Sequence, residues 1–201
     1  MTKKPVLTGL EEVYRQIKDA SGVEFGFSRP DDQTHQNSYT FYLWYKGPLP
    51  DATKPKEVKV DITVQELLIY VPVERQVIKT YAEYDIPEAP TNSIFAYALE
   101  EVVLEKSMAL LDPARCEPRD LYDLWYLTTN EGVSMINLSE NMQKKLLFKK
   151  KRFMPTSDQL EKKKKRLAIG WEKRLKHQMV ELPEFEGAYR AVSRSFRQAL
   201  I

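Results

Sequence analysis

Residues 93–132 read SIFAYALEEVVLEKSMALLDPARCEPRDLYDLWYLTTNEG. This stretch decides the fold, because it joins two helical patterns and puts ionisable residues where they are costly. From Tyr97 to Leu111 the apolar residues Leu99, Val102, Val103, Ala109 and Leu110 recur at three- and four-residue steps, the period of a helix with one buried stripe. Lys106 lies on that stripe. Its ammonium must reach water or meet an anion, since an unpaired buried charge is strongly disfavoured. A second helix is expected to start at Pro118, whose missing N–H suits a first helical turn, and to stop near Gly132. Asp120 and Asp123 stand three apart on it and share a face.

Working outward, the residues from Leu10 to Ala20 form an amphipathic helix with Thr8 or Gly9 as cap and a stop at Gly22. Val23 to Phe27 alternates weakly, and the polar run from Ser28 to Ser38 reads as a loop. Tyr39 to Tyr45 is an aromatic strand, better suited to a sheet interior than to a base-stacking platform. In Glu57 to Thr63, Val58, Val60 and Ile62 alternate with Lys59 and Asp61, so a core-facing valine set turns Asp61 to the open side. One or two further strands are expected between Gln65 and Tyr81, VIKTY (77–81) being the clearest, and a Pro-punctuated loop at Asp85 to Asn92 leads into the Lys106 helix.

Beyond Gly132 three helices are expected. The first is Ser139 to Phe153, with Met142, Leu146 and Phe153 on one side. The second is capped by Thr156 and Gln159, with a stripe of Leu160, Leu167, Ala168, Trp171 and Leu175. The third starts at Pro183 and Glu184, with Phe185, Tyr189, Val192, Phe196 and Leu200 on one face. The expected class is therefore α+β: a small mixed sheet from the segments near Tyr39, Val58 and Val77, backed by the Lys106 and Asp120 helices, and then a helical bundle. The corresponding divisions are residues 1–92, 93–132 and 133–201.

Composition sets bounds. With 201 residues, 42% of them hydrophobic, the chain can bury a core. Net charge is only +2, but the segment from Lys144 to Lys176 alone carries +11. An acidic part and a basic part imply different partners. The single cysteine, Cys116, excludes a disulfide framework, and two histidines far apart, His35 and His177, give no zinc pattern. There is no apolar run of membrane-spanning length and no signal-peptide pattern, so a cytoplasmic setting is expected.

The pattern Leu99-Glu100-Glu101, Glu105-Lys106, Ala109-Leu110, followed by Arg119-Asp120-Leu121-Tyr122-Asp123-Leu124 and Leu127, resembles the motifs of the AbiEii/AbiGii-type nucleotidyltransferase family, toxins of abortive-infection toxin–antitoxin systems. Val58 to Ile62 is similar to that family's strand with a lone aspartate. The resemblance is clearest from Phe41 to Leu127, and it implies a nucleotidyltransferase-like sheet with packed helices.

By that resemblance the chain transfers a nucleotide from a nucleoside triphosphate to an RNA-type acceptor, with Mg²⁺. Asp61 is the implied metal-side carboxylate, Lys106 the phosphate ligand, and Asp120 with Asp123 the acid, base or ligand groups. The basic run Lys162, Lys163, Lys164, Lys165 and Arg166 is the expected contact for tRNA or another structured RNA, and a cognate antitoxin is the expected protein partner. Structural roles stand beside these. Asp120 favours the positive end of its helix, Arg119 and Asp123 have ion-pair spacing, Lys106 can pair with an acid on the facing helix, and the basic run can be a solvated face.

Enzymes of this superfamily also carry an early Gly-Gly or Gly-Ser and then an Asp-x-Asp, and neither is found in residues 1–201. Asp31 and Asp32 are adjacent and point to opposite sides of an extended chain. The expectation is a chain whose Met1 falls just after the motif and which is inactive alone. The alternative is a degenerate, non-catalytic protein that binds nucleotide, RNA or antitoxin.

Overall fold

The computed structural model describes residues 3–30, 38–46, 55–63, 66–77, 93–150 and 155–200. The chain divides into two compact units, Met1–Glu66 and Leu67–Ile201. The expected sheet segments near Tyr39 and Val58 lie in the first, the Lys106 and Asp120 helices in the second.

The first unit comprises α1 (Lys3–Ser21), β1 (Glu24–Pro30), β2 (Ser38–Lys46) and β3 (Lys56–Thr63). Helix α1 begins upstream of the expected Thr8 or Gly9 cap, because Pro5 falls in its first turn, where a missing N–H is harmless. It ends as expected at Gly22. There φ is +70°, and the glycine N–H donates to the Lys18 carbonyl at 2.9 Å. The three strands lie in the order β1-β2-β3, both pairs antiparallel. The weak alternation at Val23 to Phe27 becomes β1, which extends to Pro30 beyond the expected start of the loop.

Aromatic β2 is the central strand, and its Phe41 is buried. Rings stack across the unit, Tyr14 on Phe25 at 6.2 Å and Phe25 near Tyr45 at 6.0 Å. Gly26 faces Trp44 so closely that a Cβ would stand 2.5 Å from the indole nitrogen, so no other residue fits without displacing the ring. On β3, Val60 and Ile62 are half-buried while Lys59 and Asp61 are exposed, as the alternation requires, but Val58 of the expected core-facing set is exposed.

The second unit starts with a two-stranded antiparallel ribbon, β4 (Val73–Gln76) with β5 (Ser93–Ala96). Strands among the described residues pair antiparallel only, so the sheets are not mixed, and Val77 lies just past β4 rather than in the sheet of Tyr39 and Val58. The remainder of VIKTY and the loop from Asp85 to Asn92 lie outside the described residues. Helices follow: α2 (Leu99–Leu111), α3 (Pro118–Thr129), α4 (Leu138–Phe148), α5 (Ser157–Leu175) and α6 (Phe185–Ala199).

Leu104, Leu111, Leu121, Leu124, Trp171 and Phe196 form the centre of one core shared by these helices. α2 packs against α3, α4 and α5. Its buried residues, Glu101, Val103, Leu104, Ser107, Met108, Leu110 and Leu111, fill one half of the helix; of the expected stripe Val103 and Leu110 are among them, while Leu99 is exposed and Val102 and Ala109 are half-buried. Gly170 of α5 meets Pro118 of α3, where a Cβ would come within 2.7 Å of the proline ring. α4 stops at Phe148, earlier than expected, and Lys150 takes a positive φ of 52°; Phe153 lies outside the described residues. Thr156 precedes α5 without a side-chain cap bond.

Two lysines enter this core. Lys145 of α4 is fully buried between Glu101 and Glu105 of α2, and Lys149 joins Glu105 at 3.1 Å. Glu101 also accepts the backbone N–H groups of Ile69 and Tyr70, both at 3.0 Å. Burial pulls the Lys145 ammonium down, but the two carboxylates outweigh it and hold it above its ordinary range. Glu105, pushed up by burial, is brought below its ordinary range by Lys145 and Lys149. Lys163 of α5 donates to the carbonyls of Leu110 and Asp112 at the end of α2, each at 2.5 Å, and burial lowers its pKa.

Candidate phosphate-binding site

α2 and α3 run side by side in one core, so residues separated by the 112–117 connection meet. Lys106 Nζ lies 3.2 Å from Asp120 Oδ1 and 2.5 Å from Asp123 Oδ2. The three residues singled out in this unit as catalytic thus form one cluster, through the pairing of Lys106 with acids of the facing helix. Arg119 is exposed and does not pair with Asp123.

Arg115 completes the cluster. Its Nε donates to Asp120 Oδ2 at 2.7 Å and its Nη2 to Oδ1 at 3.3 Å. The Asp112 side chain accepts the Ala114 N–H at 3.0 Å, and this short turn aims Arg115 at the first turn of α3. Helical periodicity could not have found Arg115, since it precedes the helix; the Asp-Pro at 112–113 is the only local signal of the turn that delivers it.

Burial separates the roles. Asp120 is 1% exposed, whereas Arg115 is 52% exposed and Lys106 27%. A sealed carboxylate in the first turn of a helix, saturated by two cations, acts as an anchor. The two cations keep part of their surface in water, with N–H donors available to a phosphate.

Asp61 sits on β3 of the other unit, accepting from Thr40 Oγ1 at 2.5 Å with Lys59 Nζ at 3.5 Å. Magnesium needs several oxygen ligands in near-octahedral order. Among the described residues no three His, Cys, Asp or Glu side chains come together to hold a metal, and both Asp120 oxygens already face cations. The described residues therefore do not fit a magnesium site. The basic run divides as well. Lys162, Lys165 and Arg166 are exposed, Lys163 is spent on the α2 carbonyls, and half-buried Lys164 pairs with Glu186 at 3.1 Å beneath the Tyr189 ring. No helix among the described residues is long and apolar enough to cross a membrane.

The family model described as "Nucleotidyl transferase AbiEii toxin, Type IV TA system" matches residues 2–200. No curated protein matches the chain. Among solved structures it is similar to the "Crystal structure of JHP933 from Helicobacter pylori", with a TM-score of 0.45 and 15% identity over 92% of this chain and 70% of that one.

Proposed function

The chain belongs to the AbiEii nucleotidyl transferase toxin family of type IV toxin–antitoxin systems, and from that premise we propose that the Lys106–Arg115–Asp120–Asp123 cluster handles the phosphates of a nucleoside triphosphate donor. The observation that carries this reading is the convergence of two partly exposed cations from different segments on one buried carboxylate. Asp120 holds both in position, so little ordering remains when phosphate arrives.

In the proposed reaction a hydroxyl oxygen of an RNA-type acceptor forms a bond to the α-phosphorus, and the bond from that phosphorus to pyrophosphate breaks. The acceptor proton passes to Asp123, which is more open than Asp120. Lys106 and Arg115 neutralise the charge that grows on pyrophosphate. A divalent metal and a nucleoside triphosphate are the usual requirements of this chemistry; the family resemblance implies Asp61 on the metal side, but among the described residues no carboxylate set gathers with it to hold a metal. A cognate antitoxin is the protein partner that membership in such a system implies.

A second reading has its own support. Two carboxylates cancel the two cations of the cluster, and residues 1–201 contain no Asp-x-Asp. On that reading the protein binds nucleotide without transferring it. The deciding experiment pairs tripolyphosphate binding with incorporation of α-³²P from each of the four triphosphates into total RNA, for the wild type and Lys106→Ala. Incorporation that disappears in the variant supports transfer. Lys106-dependent binding without incorporation supports the second reading, and binding indifferent to Lys106 overturns both.

A further inference from the structure

The exposed cations of α5 do not follow the consecutive basic run. Lys162, Lys165, Arg166, Lys173 and Lys176 are all exposed. At ~100° per residue they fall within one narrow face of the helix, with Ile169, 77% exposed, in their midst. From Lys162 to Lys176 the row extends about 21 Å at ~1.5 Å per residue. Among the described residues none of the five is ion-paired, whereas Lys144, Lys145, Lys149, Lys164 and Arg174 each face a carboxylate. Next to the row opens a hollow of about 640 Å³, walled by Ile169, His177, Pro183 and Phe185 and bordered by Lys173 and Lys176. Glu172 and Glu184 also line it, which suits an uncharged ring and disfavours a phosphate.

We propose that this face of α5 is a docking surface for RNA with unpaired bases: the row of five cations follows the phosphate backbone, and one base enters the hollow between Ile169 and Phe185. The proposal rests on the RNA-type acceptor reading and names its surface. A row of positive charge with no carboxylate partner among the described residues is complementary to a polyanion, and the hollow beside it, polar at its rim with Ile169, Pro183 and Phe185 as apolar walls, has a place for a planar heterocycle that a base-paired duplex cannot insert. The same surface on a protein that bound an acidic polypeptide would need no such hollow.

The test is fluorescence anisotropy of the full chain with a labelled, unstructured 16-nucleotide RNA across a salt series. Each phosphate neutralised on a single strand contributes about 0.7 to the slope of log K against log salt. The Lys173→Gln/Lys176→Gln variant should therefore lower the slope by about 1.4, and Lys162→Gln/Lys165→Gln/Arg166→Gln by about 2.1. Ile169→Asp, at an exposed position, should weaken the single strand more than tenfold and leave a blunt duplex of equal phosphate number little changed.

A slope that responds to the triple variant but not to Lys173→Gln/Lys176→Gln overturns the proposed row while the RNA acceptor stands. A duplex that binds as tightly as the single strand overturns the role of the hollow. Displacement of the RNA by an equal charge of polyglutamate turns the surface over to an acidic protein. No RNA binding at 50 mM salt overturns the proposal and the acceptor reading together, and Lys106-dependent binding of tripolyphosphate remains a separate measurement.

Discussion

Helix α2 holds one side of two ionic clusters with opposite designs. Toward α4, Glu101 and Glu105 close over Lys145, which has no exposed surface. Toward α3, Lys106 meets Asp120 and Asp123 but keeps 27% of its side chain in water, with Arg115 more open still. Both clusters pair two carboxylates with two cations, and the difference lies in which partner is sealed. In the first cluster a cation and an anion, Lys145 and Glu101, are both enclosed, and only Glu105 and Lys149 at its edge keep part of their surface in water. In the second only the Asp120 carboxylate is enclosed, and the cations it orients keep part of their surface in water.

That contrast is broken or sharpened by substitutions of graded effect. Lys145→Met strands the buried Glu101 carboxylate and should cost about 3–5 kcal/mol in urea unfolding, with Glu101→Gln in the same chain restoring part of the loss. A loss below that of Lys106→Ala would show that the network is not sealed in solution. The network also sets a pH dependence. Glu105 has a folded pKa below its ordinary 4.5, so its contribution is present above that value and disappears as pH falls through the folded pKa. Lys145, held above its ordinary 10.5, contributes fully below that value and loses its contribution only as pH rises through the folded pKa. The urea midpoint should therefore fall on the acid side in the wild type, and fall less in a chain carrying Lys145→Met, Glu101→Gln and Glu105→Gln.

Lys163→Met is the intermediate case. Its partners are neutral carbonyls, so no buried charge is stranded, and the expected loss is about 1–3 kcal/mol. Lys106→Ala should cost only about 1 kcal/mol of stability, because Arg115 still donates to Asp120. It should weaken tripolyphosphate about tenfold, equivalent to about 1.4 kcal/mol. If Lys106→Ala destabilises the fold as much as Lys145→Met and leaves phosphate binding intact, the two clusters are alike and both structural. At the lower end, Lys144→Ala removes an exposed pair with Glu140 and should leave the urea midpoint where it is.

Much of this was legible in the chain itself. Periodicity located all of the helices from α2 to α6, because each has apolar residues at helical steps, and Pro118, Gly22 and Gly132 marked ends through backbone geometry that no partner needs to enforce. Alternation in β3 separated Val60 and Ile62 from Lys59 and Asp61 for the same local reason. Lys106, Asp120 and Asp123 could be named together only through the resemblance of their motifs to a family, since their spacing alone equally suits a helix-end carboxylate and ion pairs. β5 escaped notice because four residues beside a helix start leave too little alternation to read.

What only the tertiary structure decided is which charges are sealed. Lys145, Lys163 and Lys165 have the same side chain in equally basic surroundings, yet Lys145 is locked between carboxylates, Lys163 is turned into the end of α2, and Lys165 is left in water. Arg115 reaches Asp120 only because a turn at Asp112 folds it back. Local pattern fixes the face of a helix on which a side chain stands, within about one turn. The free energy of a charge depends on what closes over that face, and those atoms come from elements distant in sequence.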